Sequence, residues 1–265
     1  MAQRLLSGGG DLMKGIVVEK SLLKRGEPVV GEAKEEGIEA LLIVLIASNL
    51  RGGPHQWEVL YSYRKSVKLD KGRFEIECPA ELPPAVYSKN FKVRWSLIFG
   101  IPRFGGRFMW PRKELRLKIM PSFIEVSEEE HGIRLERSIY RPGDLIKGEF
   151  ELPKGDASKS LVGIKVKEWL VKGKESYSNA YILSEGDITR AEGRHGWFEI
   201  EVEKDITRPE DVSYFYPYTF RSKFSDMEMG ISSYIVVENP EFTLEREIVI
   251  IPVEPRIVRR ELSRK

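Results

Sequence analysis

Cysteine occurs once, at Cys78, which excludes an intrachain disulfide framework and a Cys-rich metal site. Histidine is nearly as scarce: His55, His131 and His195 are dispersed, none forms a metal-binding pair at helical spacing, and each lies beside an expected turn. No apolar run can cross a bilayer, since the longest, Ala40 to Ala47, falls far short of the roughly 20 residues required. Charge of one sign is not in excess either. With 43 basic residues against 41 acidic and a net charge of +2, nucleic-acid binding has no general electrostatic basis. Catalytic signatures are missing as well: there is no Gly-x-Ser-x-Gly elbow, no phosphate-binding glycine loop ending in Lys-Ser/Thr, and no Cys/His pair with a local signature. Glu128-Glu129-Glu130 reads as a solvated charge run, because adjacent strand residues point alternately and cannot converge on a cation without a turn. The expectation is therefore a protein that is not an enzyme and carries no cofactor or metal.

Glutamine appears only at Gln3 and Gln56, while charged residues make up 32% of the chain, a bias that resembles thermophile proteins. The N-terminus lacks the apolar stretch of a signal peptide, so a cytoplasmic location is expected. Residues 1–12 read as a flexible leader. Gly9-Gly10-Asp11 can be encoded by a prokaryotic ribosome-binding sequence just upstream of Met13, which makes Met13 an alternative start. At the other end, residues 256–265 form a basic tail, read as solubilising, with weak peripheral membrane contact as the other reading.

What the chain has in quantity is repetition. Ser21-Leu22-Leu23-Lys24-Arg25-Gly26-Glu27-Pro28-Val29-Val30-Gly31-Glu32 returns as Ser138-Ile139-Tyr140-Arg141-Pro142-Gly143-Asp144-Leu145-Ile146-Lys147-Gly148-Glu149, offset by 117 residues. A second phrase, Gly72-Arg73-Phe74-Glu75-Ile76-Glu77, returns as Gly196-Trp197-Phe198-Glu199-Ile200-Glu201, offset by 124. This period exceeds the roughly 20 to 50 residues of solenoid units and fits a duplicated globular domain. The domains are expected at 13–121 and 122–255, joined without a Gly/Ser-rich linker.

Within each copy the hydrophobic period is two. Phe91, Val93, Trp95, Leu97 and Phe99 alternate with Lys92, Arg94 and Ser96, and similar patterns run through Trp57 to Tyr63 and Leu115 to Ile119. The second copy predicts strands over Ile133 to Arg137, Leu145 to Leu152, Leu161 to Val171, Trp197 to Val202, Tyr216 to Phe224, Ser232 to Val237 and Phe242 to Ile251. Pro121 and Pro252 close the last strand of each copy. The class is all-β, two tandem antiparallel β-sandwiches. One strand, Leu41 to Ile46, is apolar on both faces and needs cover from within the chain or from a partner.

The order of these motifs resembles the arrestin fold family. Tyr140 with Arg141-Pro142-Gly143-Asp144 and Gly148, then a downstream Gly-x-Phe-Glu-Ile-Glu strand, is similar to the start of an arrestin sandwich. Glu81-Leu82-Pro83-Pro84 leading into Phe91-Lys92-Val93-Arg94-Trp95 is similar to the family's Leu-Pro-Pro turn and following strand. The resemblance covers Met13 to Pro252 and implies tandem arrestin-like (immunoglobulin-like) domains in a non-enzymatic cytoplasmic adaptor or scaffold, like the bacterial sporulation-control proteins and the retromer cargo-binding subunit. Pro83-Pro84-Ala85-Val86-Tyr87 has one residue too many for the family's Pro-Pro-x-Tyr ligase signal. The implied partner is a protein, with homo-oligomerisation open; a module recognising a lipid head group or glycan is the alternative.

Four residues are the candidate partner anchors. Tyr214 and Tyr216 belong to the aromatic run Tyr214 to Phe220, which serves either core and inter-domain packing or a partner surface. Arg103 and Phe104 belong to the loop Ile101 to Met109, which is either a binding loop or a plain hairpin whose aromatics fold back.

Overall fold

A computed structural model of the chain describes residues 3–4, 15–51, 56–103, 108–109, 113–121, 132–208, 211 and 213–253. The architecture is all-β. The first half contains β1 (Gln3–Arg4), β2 (Ile16–Val18), β3 (Leu22–Leu23), β4 (Val29–Ala33), β5 (Ile38–Ser48), β6 (Glu58–Leu69), β7 (Gly72–Ile76), β8 (Phe91–Gly100), β9 (Pro102–Arg103), β10 (Phe108–Met109) and β11 (Lys113–Ile119). The second contains β12 (Ile133–Leu135), β13 (Ile139–Tyr140), β14 (Leu145–Glu151), β15 (Leu161–Lys172), β16 (Glu175–Glu192), β17 (His195–Glu201), β18 (Phe220–Phe224), β19 (Met227–Asn239) and β20 (Phe242–Ile250). Among the described residues the one helical element is a short 3-10 turn at Ala157–Lys159.

The two halves share a strand order. In the first, β2-β4-β7 form one sheet and β3-β11-β8-β5-β6 another; in the second, β12-β14-β17 and β13-β20-β19-β15-β16 follow the same sequence of neighbours. Both β3 and β13 are short strands that pair in parallel with the last strand of their half, β11 and β20. The second half departs in one respect: β16 is long enough to serve both sheets, pairing with β15 up to Gly186 and with β17 from Asp187 onward. Within the expected leader, residues 3 and 4 pair with β2.

The repeated phrases have repeated structural causes. Gly26 and Gly143 hold positive φ values of 78° and 85°, which L-residues with a Cβ adopt only with strain. The acidic residue after each glycine ties the turn: a Glu27 carboxylate oxygen accepts from the Lys24 backbone N–H at 2.7 Å, and an Asp144 oxygen from that of Arg141 at 2.9 Å. Each also pairs with an upstream cation, Lys20 in one half and Arg137 in the other. The second glycine is a site of close approach. A Cβ at Gly31 would lie 2.4 Å from the Phe74 ring, and one at Gly148 would lie 2.4 Å from the Phe198 ring.

Each half buries the faces of its two sheets against one another. In the first, Phe74 of β7 meets Phe99 of β8 with ring centroids 6.1 Å apart. Trp95 is 1% exposed and donates its indole N–H to the Pro83 carbonyl at 3.0 Å, so the Leu-Pro-Pro turn satisfies the polar atom of a ring whose burial contributes about 3 kcal/mol. In the second half, Ile146, Phe150, Phe198 and Ile200 of one sheet share a core with Ile164, Ile235, Ile248 and Ile250 of the other.

The apolar core of the first half does not stop at its own strands. Val166, Leu170, Phe220, Phe224, Met229 and Ile231 of the second half belong to the same buried cluster. The inward faces of β15 and β19 thus serve two cores in succession: Ile164 and Ile235 pack within their own half, and Val166, Leu170, Met229 and Ile231 pack on the first half. Tyr61 of β6 meets Phe224 of β18 at 5.1 Å, and Arg25 donates to the Arg221 carbonyl at 2.7 Å. Of the strand that is apolar on both faces, Leu42, Val44 and Ile46 are fully buried, while Leu41, Ile43 and Leu45 are half-buried.

Most expected strands are present, and one difference has a local cause. The expected strand from Tyr216 begins only at Phe220, because Tyr218 N–H turns back to the Tyr216 carbonyl at 2.9 Å and Thr219 N–H goes to that of Ile250 at 3.0 Å. Cys78 lies beyond the end of β7. Its thiol is buried, which pushes its pKa up to about 11.

Candidate partner surface

A seam between the halves carries the clearest exposed aromatic cluster. Residues 85–87 follow the Leu-Pro-Pro turn, and residue 214 docks beside them: Tyr87 N–H donates to the Tyr214 carbonyl at 2.7 Å, and Tyr214 N–H donates to that of Ala85 at 3.0 Å. The two stretches form a parallel bridge at Val86 and Tyr214. Extended backbone sends successive side chains to opposite sides. Val86 and Tyr214 therefore go inward, at 1% and 5% exposed, and their neighbours Tyr87 and Phe215 go outward, at 41% and 38%.

Tyr87 and Phe215 meet with ring centroids 5.0 Å apart, one from each half. Trp57, at the entry to β6, stacks against Tyr87 at 6.2 Å. Lys92 joins them from β8, its ammonium 3.7 Å from the Trp57 ring centre and 4.9 Å from that of Tyr87. A backbone bridge between Tyr87 and Lys92 holds this cation over the rings. The result is a ledge of three aromatic side chains and one lysine across the seam.

The expected anchors occupy other positions. Tyr214 and Tyr216 are buried, at 5% and 3% exposed, and burial raises the pKa of both hydroxyls. Tyr216 donates its hydroxyl to the Glu203 carbonyl at 2.8 Å, Tyr218 donates to the Asp205 carboxylate, and the Tyr214 and Tyr218 rings meet edge to face at 5.4 Å. These tyrosines pack the second half's core and hold its 203–207 segment, so the contact area reaching solvent comes from Phe215 between them. Arg103 lies on β9, in a two-stranded hairpin with β10 in which it pairs with Phe108. It is beyond the far end of β8 from Lys92, roughly 30 Å along the strand, so Arg103 and the tyrosines do not form one site. Phe104 lies outside the described residues, as do His55, His131, Glu128-Glu129-Glu130 and residues 256–265.

Trp57, Tyr87, Lys92 and Phe215 are functional candidates that sequence reading passed over. Their signal was present in part: Phe215 sits at the odd position of a segment whose alternate tyrosines are buried. Their convergence depends on pairing between residues far apart in the chain.

Beneath the seam lies a buried carboxylate. Glu168 of β15 is 0% exposed and accepts three hydrogen bonds: Ser88 hydroxyl at 3.1 Å, Asn90 N–H at 2.8 Å and Tyr181 hydroxyl at 2.8 Å. Ser88 and Asn90 belong to the first half, so this group ties the halves together. Burial raises its pKa, and the hydrogen bonds from Tyr181, Asn90 and Ser88 pull in the other direction.

Among the described residues no group of three or more His, Cys, Asp or Glu side chains is placed to hold a metal ion. No helix among them is long and apolar enough to cross a membrane. No protein-family model matches the chain, and no curated protein matches it.

Proposed function

We propose that this chain is a non-enzymatic cytoplasmic adaptor or scaffold built from two tandem arrestin-like sandwiches, and that it binds another protein through the aromatic ledge at their seam. The observation that carries this reading is the exposure of Tyr87 and Phe215 in mutual contact, with Trp57 and Lys92 beside them. Large aromatic rings left at the surface are a common form of binding anchor, since they bury much area at low cost in side-chain entropy. The repeated strand order of the halves, the Pro142-Gly143 turn and the Leu82-Pro83-Pro84 turn support the arrestin-like assignment. Fold likeness does not name the partner, and the ledge rests on its own chemistry.

Crosslinking and affinity purification from the native organism, with a photoreactive residue at position 215, test this. One protein should be captured recurrently. Its purified form should bind the wild-type chain, and Tyr87→Ala with Phe215→Ala should weaken that complex at least about tenfold with little loss of fold stability. Unchanged affinity in the double variant would overturn the ledge as the contact surface.

A further inference from the structure

The shared strand order lets the two halves be compared position by position, and one inward-facing residue breaks the correspondence. Leu23 pairs with Ile119 across β3 and β11, and Tyr140 pairs with Ile250 across β13 and β20. Leu115 and Arg246 stand at the same distance before Ile119 and Ile250. Both face inward in their strands, and both are 7% exposed. The fold thus accommodates a leucine at this place, and the second half has an arginine there.

Arg246 brings a guanidinium, with its fixed fork of N–H donors, into this place. Its Nη1 donates to the Ile133 carbonyl at 2.8 Å, while its Nε has no hydrogen-bond partner. It forms none of the ion pairs made by its neighbours Arg137 and Lys165. Among the described residues Arg246 makes no ion pair, and burying a guanidinium where the other half has a leucine is costly unless a group of opposite charge approaches it.

The side chain lines a cavity of about 740 Å³. Arg137, Arg141, Glu136 and Asp144 also line it. Asp144 is already committed, to Arg137 at 2.7 Å and to the Arg141 backbone N–H at 2.9 Å. Three arginines thus surround the space, with Glu136 as the carboxylate outside that pair.

We propose that this cavity binds the oxyanion group, phosphate or carboxylate, of a small ligand, with Arg246 as its buried anchor and Arg137 and Arg141 at its rim. A guanidinium fork matches both groups through paired, charge-assisted hydrogen bonds. An anion seated there faces three guanidinium groups, against Glu136 as the one lining carboxylate that Arg137 does not already pair with. The site lies wholly in the second half and is separate from the ledge at the seam.

Calorimetric titration of the full chain with inorganic phosphate and with succinate, at constant ionic strength set by chloride, tests the proposal. At least one probe should bind saturably with one site per chain, and the probe that binds identifies the oxyanion class. Arg246→Leu, which installs the residue found at the equivalent place of the first half, should lose at least about tenfold in affinity. Arg246→Lys keeps the charge without the fork and should fall between them, which also covers the case of a poorly folded leucine variant. Arg190→Ala, removing an exposed arginine that pairs with Glu192 elsewhere, should leave binding unchanged. Absence of saturable binding of either probe, or equal binding by wild type and the folded Arg246 variants, would overturn the site.

Discussion

Glu168 stands where β15 leaves the core of its own half and crosses onto the first half, and its protonation is coupled to folding. Its pKa lies above the usual carboxylate value when folded and returns to that value when unfolded. Between the two values the folded state binds more protons, so this group favours folding most at low pH. That contribution declines as pH rises from the unfolded value through the raised one and stays lost above it. Glu168→Gln removes the titration while an amide oxygen can still accept from Asn90 and Ser88, with the amide N–H₂ donating to Tyr181. Urea unfolding followed between about pH 4 and pH 8 should show a decline in wild type that is reduced in this variant, and parallel curves would refute the assignment. Glu168→Ala instead strands the buried Asn90 N–H and the half-buried Ser88 and Tyr181 hydroxyls and should cost about 3 kcal/mol.

At the scale of the element, the halves repeat the device of an aromatic ring resting on a strand glycine. A Cβ at Gly148 would lie 2.4 Å from the Phe198 ring and 2.8 Å from Leu135, so Gly148→Ala should destabilise by about 2 kcal/mol. In a Phe198→Leu background the same change should cost less, by at least about 0.5 kcal/mol, in equilibrium denaturation. Equal costs in both backgrounds would remove the ring as the cause. The repeated glycine and phenylalanine are readable as text because both are needed for one contact. β16 was not readable. It is an edge strand along much of its length, and its residues Glu175, Ser176, Ser178 and Ala180 face solvent, so its apolar alternation is thin. Its length is set by pairing with two sheets in turn.

Over the whole molecule, the apolar cluster that runs from the first half into β15, β18 and β19 should make unfolding a single event. Scanning calorimetry of the intact chain should show one transition. Met229 is fully buried in that shared cluster, and Met229→Asp should cost about 3 kcal/mol or more and separate the melting of the two halves. Two transitions already present in wild type would show that the seam does not couple them. This coupling also bears on the proposed contact ledge, because Tyr87 and Phe215 come from opposite halves and hold their geometry only while the seam stays closed.

The repeated phrases, the all-β class and the turn glycines were legible in the linear chain because each follows from local backbone chemistry: strand side chains alternate, glycine suits a turn, and a repeated contact leaves a repeated spelling. The aromatic run at Tyr214 to Phe220 was legible only as an excess of rings. Which rings reach solvent was decided by the docking of residue 214 against residues 85–87, a pairing that turns Tyr214 inward and Phe215 outward. Arg246 shows the same division. Its place in an alternating strand is written in the sequence, but the arginines and carboxylates that share its cavity lie about a hundred or more positions away along the chain and are brought there by the fold.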